Sequence, residues 1–345
     1  MNRICSSLAE AGADVWLIGR LKKDSIPLTD KPYQQRRLNC VFQSGKLFYV
    51  EFNIRLFFYL IFQSFDKLCS IDLDTVLPGL TVCKVKNKKH FYDAHEMFPY
   101  VPEVISRRNV QKFWMWVEKL TFKYSNVVYT VGGAIAYWFQ HKYKKQVSVV
   151  RNMPFISEIT SACDIDLPNE PFILYQGALN EGRGLEILLE VLVDTNYHLV
   201  IVGEGDLSSV LKTRTKELKL ENRVHFVGFV VPSKLPSITK KAFVGYNVSE
   251  NLGLSYYYSL NNKFFDYVAA ELPSLVNNFP EYTKLIADYK VGLLTAYSAA
   301  EIRENLDELY SNQLSYNLLK EQCKLAKQEW NWNRESQMLT NIYFS

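Results

Sequence analysis

The sequence predicts an α/β protein built from two doubly wound domains. Short apolar runs alternate with segments whose apolar residues recur at helical spacing, and this alternation continues through both halves of the chain. At 345 residues, the chain is longer than one compact core usually organises. A hydrophobic fraction of 48% indicates a folded protein with a sizeable core.

In the first half, a helix end and a glycine turn precede a short strand at Val15–Ile18. Further strands are predicted at Leu68–Ile71, Phe91–Ala94, Val127–Thr130 and Val147–Val150. The segments between them have apolar spacing near 3.6 residues, which predicts crossover helices and parallel strands. The apolar run 56–62 is far shorter than the ~20 residues that span a bilayer, so it predicts a buried helix.

The segment Arg151–Pro154 interrupts this pattern, because a proline favours an extended conformation before it. We therefore expect a first domain at 1–150, a second at 151–325 and a closing helical tail at 326–345. The strands predicted in the second domain are Phe172–Gln176, His198–Val202, Val224–Val227, Phe243–Tyr246 and Ser274–Asn277.

Composition excludes several classes of function. A net charge of +4 gives no general case for nucleic-acid binding. The six cysteines lack zinc-binding spacing, so we expect reduced thiols in a cytoplasmic protein and no metal site. The start of the chain does not have the pattern of a signal peptide. In Gly203-Glu-Gly205, the third glycine of a dinucleotide fingerprint is replaced by Ser208, which disfavours an oxidoreductase.

The glycine-rich loop after strand 172–176 is the first candidate site. Gly177, Gly182 and Gly184 allow backbone N–H groups to approach an anion, and the helix that follows adds its positive end. Arg183 supplies a guanidinium suited to phosphate oxygens. The alternative is a structural turn with a solvent-facing arginine.

A second cluster, Asn262, Lys263 and Asp266, begins another helix. Residues three or four apart share a helix face, so Lys263 would hold phosphate while Asp266 accepts hydrogen bonds from ribose hydroxyls. The alternative is a capped helix with an internal ion pair. The presence of both clusters in one domain favours a nucleotide-diphosphate site.

Two features of the first domain are also candidates. His95 and Glu96, together with Asp93, end a predicted strand where they would face a cleft, although a structural histidine is the alternative. Basic residues at 84–90 and 141–145 would contact anionic lipid headgroups if both segments lie on one surface. Otherwise they form a solvated face.

Ordered motifs give the chain a resemblance to a known family. They are Asp72-Leu-Asp-Thr75, Tyr92-Asp-Ala-His-Glu96, Val149-Val-Arg-Asn-Met-Pro154, Tyr175-Gln-Gly177, Gly182-Arg-Gly-Leu-Glu186, Asn262-Lys-Phe-Phe-Asp-Tyr267 and Gly292-Leu-Leu294. In this order they resemble those of a GT-B glycosyltransferase of the retaining family 4 type, over nearly the whole chain. The resemblance implies two Rossmann-like domains facing a cleft.

The resemblance also implies metal-independent sugar transfer with retention, and no cofactor beyond the nucleotide-sugar substrate. Arg183 and Lys263 would contact the diphosphate, Asp266 the ribose, and His95 the reacting sugar. The acceptor would be a saccharide or a lipid-linked molecule, placing the protein in the cytoplasm at the inner face of the membrane.

The chain departs from the family pattern in three places. The first βα unit is expected to be missing before Met1. Tyr258 stands where the first residue of the family's acidic pair belongs, and Glu250 is assigned as a sugar contact although its segment lies upstream of the usual position. Ala178 replaces an arginine found in many relatives, so diphosphate binding would depend more on the remaining two cations.

Three functions are compatible with these residues. The first is a glycosyltransferase that builds a cell-surface polysaccharide or glycolipid. The second is a non-catalytic or fragmentary GT-B protein that binds a nucleotide or a partner without transfer. The third, which the ordered motifs disfavour, is a nucleotide-sugar epimerase.

Overall fold

The chain forms two compact units. A computed structural model describes residues 1–23, 25–156 and 165–345. The first unit comprises Met1–Arg151 and Glu335–Ser345, and the second comprises Asn152–Arg334. The last eleven residues thus return to the first unit.

The described residues of the first unit form six strands and the helices around them. Its elements, in chain order, are α1 (Asn2–Glu10), β1 (Trp16–Leu21), β2 (Gln34–Asn39), α2 (Gly45–Ile61), β3 (Lys67–Ile71), α3 (Val76–Lys86), β4 (Lys89–Ala94), α4 (Pro102–Ile105), α5 (Arg108–Tyr124), β5 (Val127–Thr130), α6 (Gly133–Tyr143) and β6 (Ser148–Val149). Strands β1 and β2 pair in parallel, and β3-β4-β5-β6 form a separate parallel sheet.

In the second unit, the residues that the structure describes form one parallel sheet of six strands, in the order β12-β11-β10-β7-β8-β9. Its elements are β7 (Phe172–Gln176), α7 (Leu185–Leu192), β8 (His198–Val202), α8 (Ser208–Glu217), β9 (Val224–Gly228), α9 (Leu235–Thr239), β10 (Val244–Asn247), α10 (Leu254–Tyr257), α11 (Asn262–Ala269), β11 (Ser274–Asn277), α12 (Pro280–Asp288), β12 (Gly292–Thr295), α13 (Ala299–Ser311) and α14 (Gln313–Glu329). A last helix, α15 (Trp332–Phe344), runs from the second unit into the first.

The predicted α/β class with parallel sheets is confirmed, and each predicted strand forms within a few residues of its expected bounds. Strand β7 is buried throughout, as a central strand of a doubly wound sheet should be. Two strands were not predicted: β2, whose sequence is polar, and β12, which is only four residues long.

The helix predicted at 56–62 forms, but it is buried on one side only. This segment lies at the end of α2, whose residues Phe48, Phe52, Leu56 and Leu60 are buried. In contrast, Phe58 and Phe62 are exposed, because they lie on the opposite side of the helix. Apolar residues therefore cover both sides of α2, although only one side packs into the core.

The cysteines are free thiols in the described part of the chain. Cys5, Cys40, Cys83 and Cys323 are buried, Cys69 is partly buried, and Cys163 lies outside the described residues. Among the helices that the structure describes, none is both long and apolar enough to cross a membrane.

Candidate functional site

The sheet of the second unit places its functional loops at a topological switch point. From β7 the chain continues outward through β8 and β9, whereas β10, β11 and β12 extend the sheet in the other direction. Ligands of open parallel sheets bind beside such a point, at the carboxyl ends of the strands. The loops after β7 and β10 therefore border the expected ligand position.

Arg183 lies in the loop after β7 and faces the start of α11. Its Nη1 donates a hydrogen bond to Asn261 Oδ1 at 3.4 Å, and its guanidinium carbon lies 5.2 Å from the centre of the Tyr256 ring. Asn261, the residue just before α11, also donates from Nδ2 to Asn247 Oδ1 at 3.0 Å. Asn247 ends β10, so this chain of contacts joins the two loops that flank the switch point.

Lys263, in the first turn of α11, lies over an aromatic ring. Its Nζ is 3.6 Å from the centre of the Tyr175 ring, where the ring face attracts a cation. Burial, followed by the charge of Arg183, lowers the pKa of Lys263 well below its usual range. Arg183 and Lys263 therefore lie close enough to repel each other when no anion is between them.

Gly177 lies beside Lys263 in a backbone conformation that favours glycine. A Cβ atom at Gly177 would lie 3.5 Å from Lys263 Cε, and the φ of +139° is one that other residues rarely adopt. The Gly177 N–H donates to Val202 O at 2.9 Å, so this amide is already used within the sheet. The Gly177 N–H, which the sequence predicted to approach an anion, is therefore engaged within the sheet.

Gly182 and Gly184 both have positive φ and shape the loop that carries Arg183. The Gly182 carbonyl accepts a hydrogen bond from the Glu250 backbone N–H at 2.9 Å, which holds the Glu250 segment against this loop. Gly184 immediately precedes α7, and its carbonyl accepts from the Tyr246 hydroxyl at 2.8 Å.

Asp266 lies one turn into α11 and accepts a hydrogen bond from Gln176 Nε2 at 3.2 Å. Gln176 ends β7, and its Oε1 accepts from the Thr239 hydroxyl at 2.8 Å. The carboxylate of Asp266 is thus oriented from the sheet. Asn262, at the start of the same helix, is exposed.

The site residues predicted in the second unit thus come together, although they are up to 89 positions apart in the sequence. Sequence reasoning missed Tyr175, Asn247 and Asn261. Tyr175 has the pattern of an ordinary core residue, whereas the two asparagines have signals that were available: one ends a strand and the other precedes a helix.

The first unit contains a second polar cluster, at the carboxyl ends of β3 and β4. His95 Nε2 lies 3.1 Å from Asp93 Oδ2, and the His95 backbone N–H donates to Asp72 Oδ1 at 2.9 Å. Asp72 has a φ of +52°, which is rare for a residue other than glycine and indicates a strained backbone. Glu96 is exposed beside this cluster.

The ionisable groups of this cluster shift one another's pKa. Burial alone would lower the pKa of His95, but the hydrogen bond and charge of Asp93, together with Asp72, raise it. Burial raises the pKa of Asp72 to about 7, with smaller contributions from Glu96 and Asp93, while His95 opposes the shift. A histidine whose pKa is raised, beside a carboxyl whose pKa is also raised, is suited to proton transfer or to sugar hydroxyls.

The family model described as glycosyl transferases group 1 matches residues 164–329. The matched residues make up most of the second unit. The match includes both loops of the switch point. The whole chain has the GT-B fold, with two Rossmann-like units.

A curated relative resembles a short part of the chain, and two solved structures resemble nearly all of it. D-rhamnosyltransferase WbpZ of Pseudomonas aeruginosa is 44% identical over 59 residues, which are 17% of this chain and 15% of that protein. Sucrose-phosphate synthase of Thermosynechococcus elongatus has a TM-score of 0.83 at 16% identity, covering 99% of this chain and 91% of that one. HepE of Anabaena, solved in complex with UDP, has a TM-score of 0.72 at 13% identity, covering 95% and 99%.

Proposed function

We propose that the protein transfers a sugar from a nucleoside-diphosphate donor to a saccharide or lipid-linked acceptor, with retention at the anomeric carbon. The observation that carries this proposal is the pair of cations, Arg183 and Lys263, at the switch point of the second unit. Asp266 follows them one helical turn further on. The match to the glycosyl transferases group 1 model and the UDP complex of HepE support a nucleotide-sugar donor.

The cation pair suits the leaving group of such a transfer. As the bond between sugar and phosphate breaks, negative charge develops on the nucleoside diphosphate, and preorganised cations stabilise it. Arg183 and Lys263 repel each other, so an anion between them relieves that repulsion as it binds. We propose that they do this without a metal ion, and that the start of α11 at Asn262 adds a partial positive charge.

The other residues of the domain would hold the rest of the donor. We assign Asp266, oriented by Gln176, to the ribose hydroxyls, and Glu250 to the donor sugar.

In the first unit, we propose that His95 contacts the reacting sugar and that Glu96 assists it. Support comes from the hydrogen bond to Asp93 and the raised pKa of His95, which favour a ring that donates hydrogen bonds to sugar oxygens. We place the reaction in the cytoplasm at the inner face of a membrane, where a lipid-linked acceptor would lie.

The test is donor turnover by Arg183→Ala, measured as release of nucleoside diphosphate from UDP-, GDP- and ADP-sugars. A charge-assisted hydrogen bond contributes about 1.5–3 kcal/mol, so we expect roughly a 10- to 150-fold loss of turnover. Arg183 is only partly buried, so the variant should melt like the parent protein.

Arg214→Ala is the matched control, because Arg214 is an exposed arginine of the same unit that pairs with Glu190 and Glu217. Its turnover should be unchanged. Unchanged turnover in folded Arg183→Ala would refute the assignment. Nucleotide binding without turnover of any donor would instead support a non-catalytic binding protein.

A further inference from the structure

Helices α2, α3 and α5 cover one and the same face of the first unit. The buried residues of α2 share a core cluster with Leu68 of β3 and with Val82 of α3. On β4, His90 bonds to Ser70 of β3, and a Cβ at Gly79 of α3 would meet both side chains. Tyr92 lies on the same side of β4 as His90, since residues two apart share a face of a strand.

Tyr92 also connects α5 to this face, because it packs edge-on against Phe122 of α5. The opposite side of β4 is occupied by α15, whose Tyr343 stacks on Phe91 with ring centres 4.6 Å apart. The outward surfaces of α2, α3 and α5 therefore point away from the sheet in the same direction.

The outward side of α2 is apolar. Leu47, Val50, Ile54 and Phe58, followed by Phe62 just beyond the helix, recur every three or four residues, and each is more than half exposed. This stripe lies opposite the buried one and runs along a helix of 17 residues, about 25 Å long. Exposed apolar stripes of this extent mark interaction surfaces.

A loop extends this apolar stripe sideways. Phe42 joins Leu47, Val50 and Ile54 in lining a surface groove of about 370 Å³. The loop that carries Phe42 is held in place by Glu51. The Glu51 carboxylate accepts hydrogen bonds from the Val41 and Phe42 backbone N–H groups at 2.9 and 2.8 Å and from Arg55 at 2.7 Å. The one carboxylate of α2 is thus bonded to donors of the protein itself.

The outward side of α5 is cationic and aromatic. Phe113 and Trp116 are about half exposed, and the four cations of the helix are exposed with them. These cations are Arg108, Lys112, Lys119 and Lys123. The one carboxylate of α5, Glu118, is buried and bonds to Lys142 and Tyr143. Tryptophan beside lysine is typical of segments that lie at a membrane surface.

The whole first unit is positively charged, like the outward side of α5. It contains 23 Lys and Arg against 13 Asp and Glu, a formal net charge of +10. The second unit contains 17 against 23, a net charge of −6. An anionic surface would therefore attract the first unit and repel the second.

The structure also shows which of the two basic segments faces this surface. Lys84 of α3 lies 5.3 Å from the centre of the Tyr124 ring of α5, within the three-helix layer. In the other segment, Lys142 bonds to Glu118, and Lys145 bonds to the Ser125 carbonyl. These two cations of the segment at 141–145 thus stabilise the fold and are not part of the surface formed by α2, α3 and α5.

We propose that the face formed by α2, α3 and α5 docks the protein on an anionic lipid bilayer, with the apolar stripe of α2 inserted and the cations of α5 on the headgroups. The proposal deepens the proposed function by naming the surface through which the protein reaches the membrane. It rests on that function only for the reason why the protein docks there. Charge complementarity favours a bilayer over a second copy of the chain, since two faces of this charge would repel each other.

The test is co-sedimentation of the full chain with vesicles, in the absence of donor and acceptor. The vesicles are phosphatidylcholine alone, or phosphatidylcholine mixed one to one with phosphatidylglycerol. We expect binding to the mixed vesicles, weakened by salt, and little binding to phosphatidylcholine alone. Because no sugar transfer is measured, failure of this proposal is distinct from failure of the proposed activity.

Two variants test the two halves of the surface. Ile54→Glu should lower partition onto mixed vesicles roughly 10-fold or more, because a carboxylate replaces an inserting side chain. The double variant Lys112→Gln/Lys119→Gln should lower it roughly 30-fold, at a factor of about five per charge near the surface. Leu314→Glu, at an exposed leucine of α14 in the second unit, is the control and should bind normally.

Three results would overturn the proposal: no binding of the parent protein to mixed vesicles, undiminished binding by both variants, or equal loss of binding in the control. Sedimentation velocity adds a fourth, a dimer of the parent protein that Ile54→Glu dissociates, which would assign the face to a second copy. If Ile54→Glu fails to fold, the lysine double variant decides.

Discussion

Replacement of Lys263 by methionine should raise stability while it lowers activity. In the structure, the ammonium lies 3.6 Å from the centre of the Tyr175 ring and close to Arg183. Burial and the charge of Arg183 both lower the pKa of Lys263, so both oppose its charged form in the folded protein. Methionine keeps most of the side-chain length without a charge, and we expect the variant to be at least as stable as the parent.

The expected loss of activity follows from the interaction with the diphosphate. A charge-assisted hydrogen bond contributes about 1.5–3 kcal/mol, which corresponds to a roughly 10- to 150-fold decrease in kcat/KM. A residue that costs stability in the free protein and contributes only when an anion is bound would have these two opposite effects. A purely structural lysine would lose stability and activity together.

The pH dependence of stability tests independently whether the charge of Lys263 destabilises the folded protein. The folded protein binds the Lys263 proton more weakly than the unfolded chain, so the unfolded chain holds more protons between the lowered pKa and the usual value near 10.4. The free energy of unfolding of the parent protein should therefore rise with pH across this interval. Lys263→Met lacks this titration, so its stability advantage should shrink as the pH rises.

Urea denaturation of both proteins at several pH values, together with donor turnover, would measure these effects. Lys284→Met, at an exposed lysine of α12, is the control and should change neither stability nor turnover. If Lys263→Met unfolds more easily than the parent and retains full turnover, the reasoning about Lys263 is wrong.

Three further predictions concern other parts of the molecule. Gly203→Ala should lower the free energy of unfolding by roughly 2–5 kcal/mol in chemical denaturation, because the φ is +136° and the added Cβ would overlap the Gly177 carbonyl. At the control position Gly19, an added Cβ has nothing within 4 Å, so Gly19→Ala should change the free energy of unfolding by no more than about 0.5 kcal/mol. The parent protein should lose stability as the pH rises from about 4 to about 7, because the raised pKa of the Asp72 carboxyl stabilises the folded state only at lower pH. Asp72→Asn should not show this loss. Identical thermal melts of the two proteins across this range would contradict the prediction. Tyr175→Leu should raise the donor KM roughly 2- to 30-fold by removing the ring beneath Lys263, while Tyr175→Phe should not; equal KM values for the two variants would argue against a cation–π role.

The second unit shows how much of the fold could be predicted from the sequence. Strands such as β7 and β8 are short apolar runs that end at glycines, and this pattern is specific because a strand buried on both faces tolerates few polar residues. Strand β2 was missed because its residues, Gln34–Asn39, are polar and mostly exposed or half-exposed. Helix α2 was misjudged because apolar residues on both sides have no periodicity that tells the buried side from the exposed one.

The same limit applies to the candidate site. Lys263 and Asp266 could be placed together, because their spacing on one helix fixes their relation. Tyr175 could not be recognised as the partner of Lys263, because the contact joins positions 88 residues apart and depends on how two loops meet at the switch point. The hydrogen bond from the Gly177 N–H to Val202 was equally invisible, since glycine-rich loops bind anions or close sheets with the same residues.

The most direct test of the central claim is calorimetric titration of the protein with UDP-, GDP- and ADP-sugars. A donor site formed by Arg183 and Lys263 predicts saturable binding of at least one of these donors, and loss of that binding by about 10-fold or more in Arg183→Ala and in Lys263→Met. Absence of binding to all three donors, or equal affinity in the parent and both variants, would contradict the account.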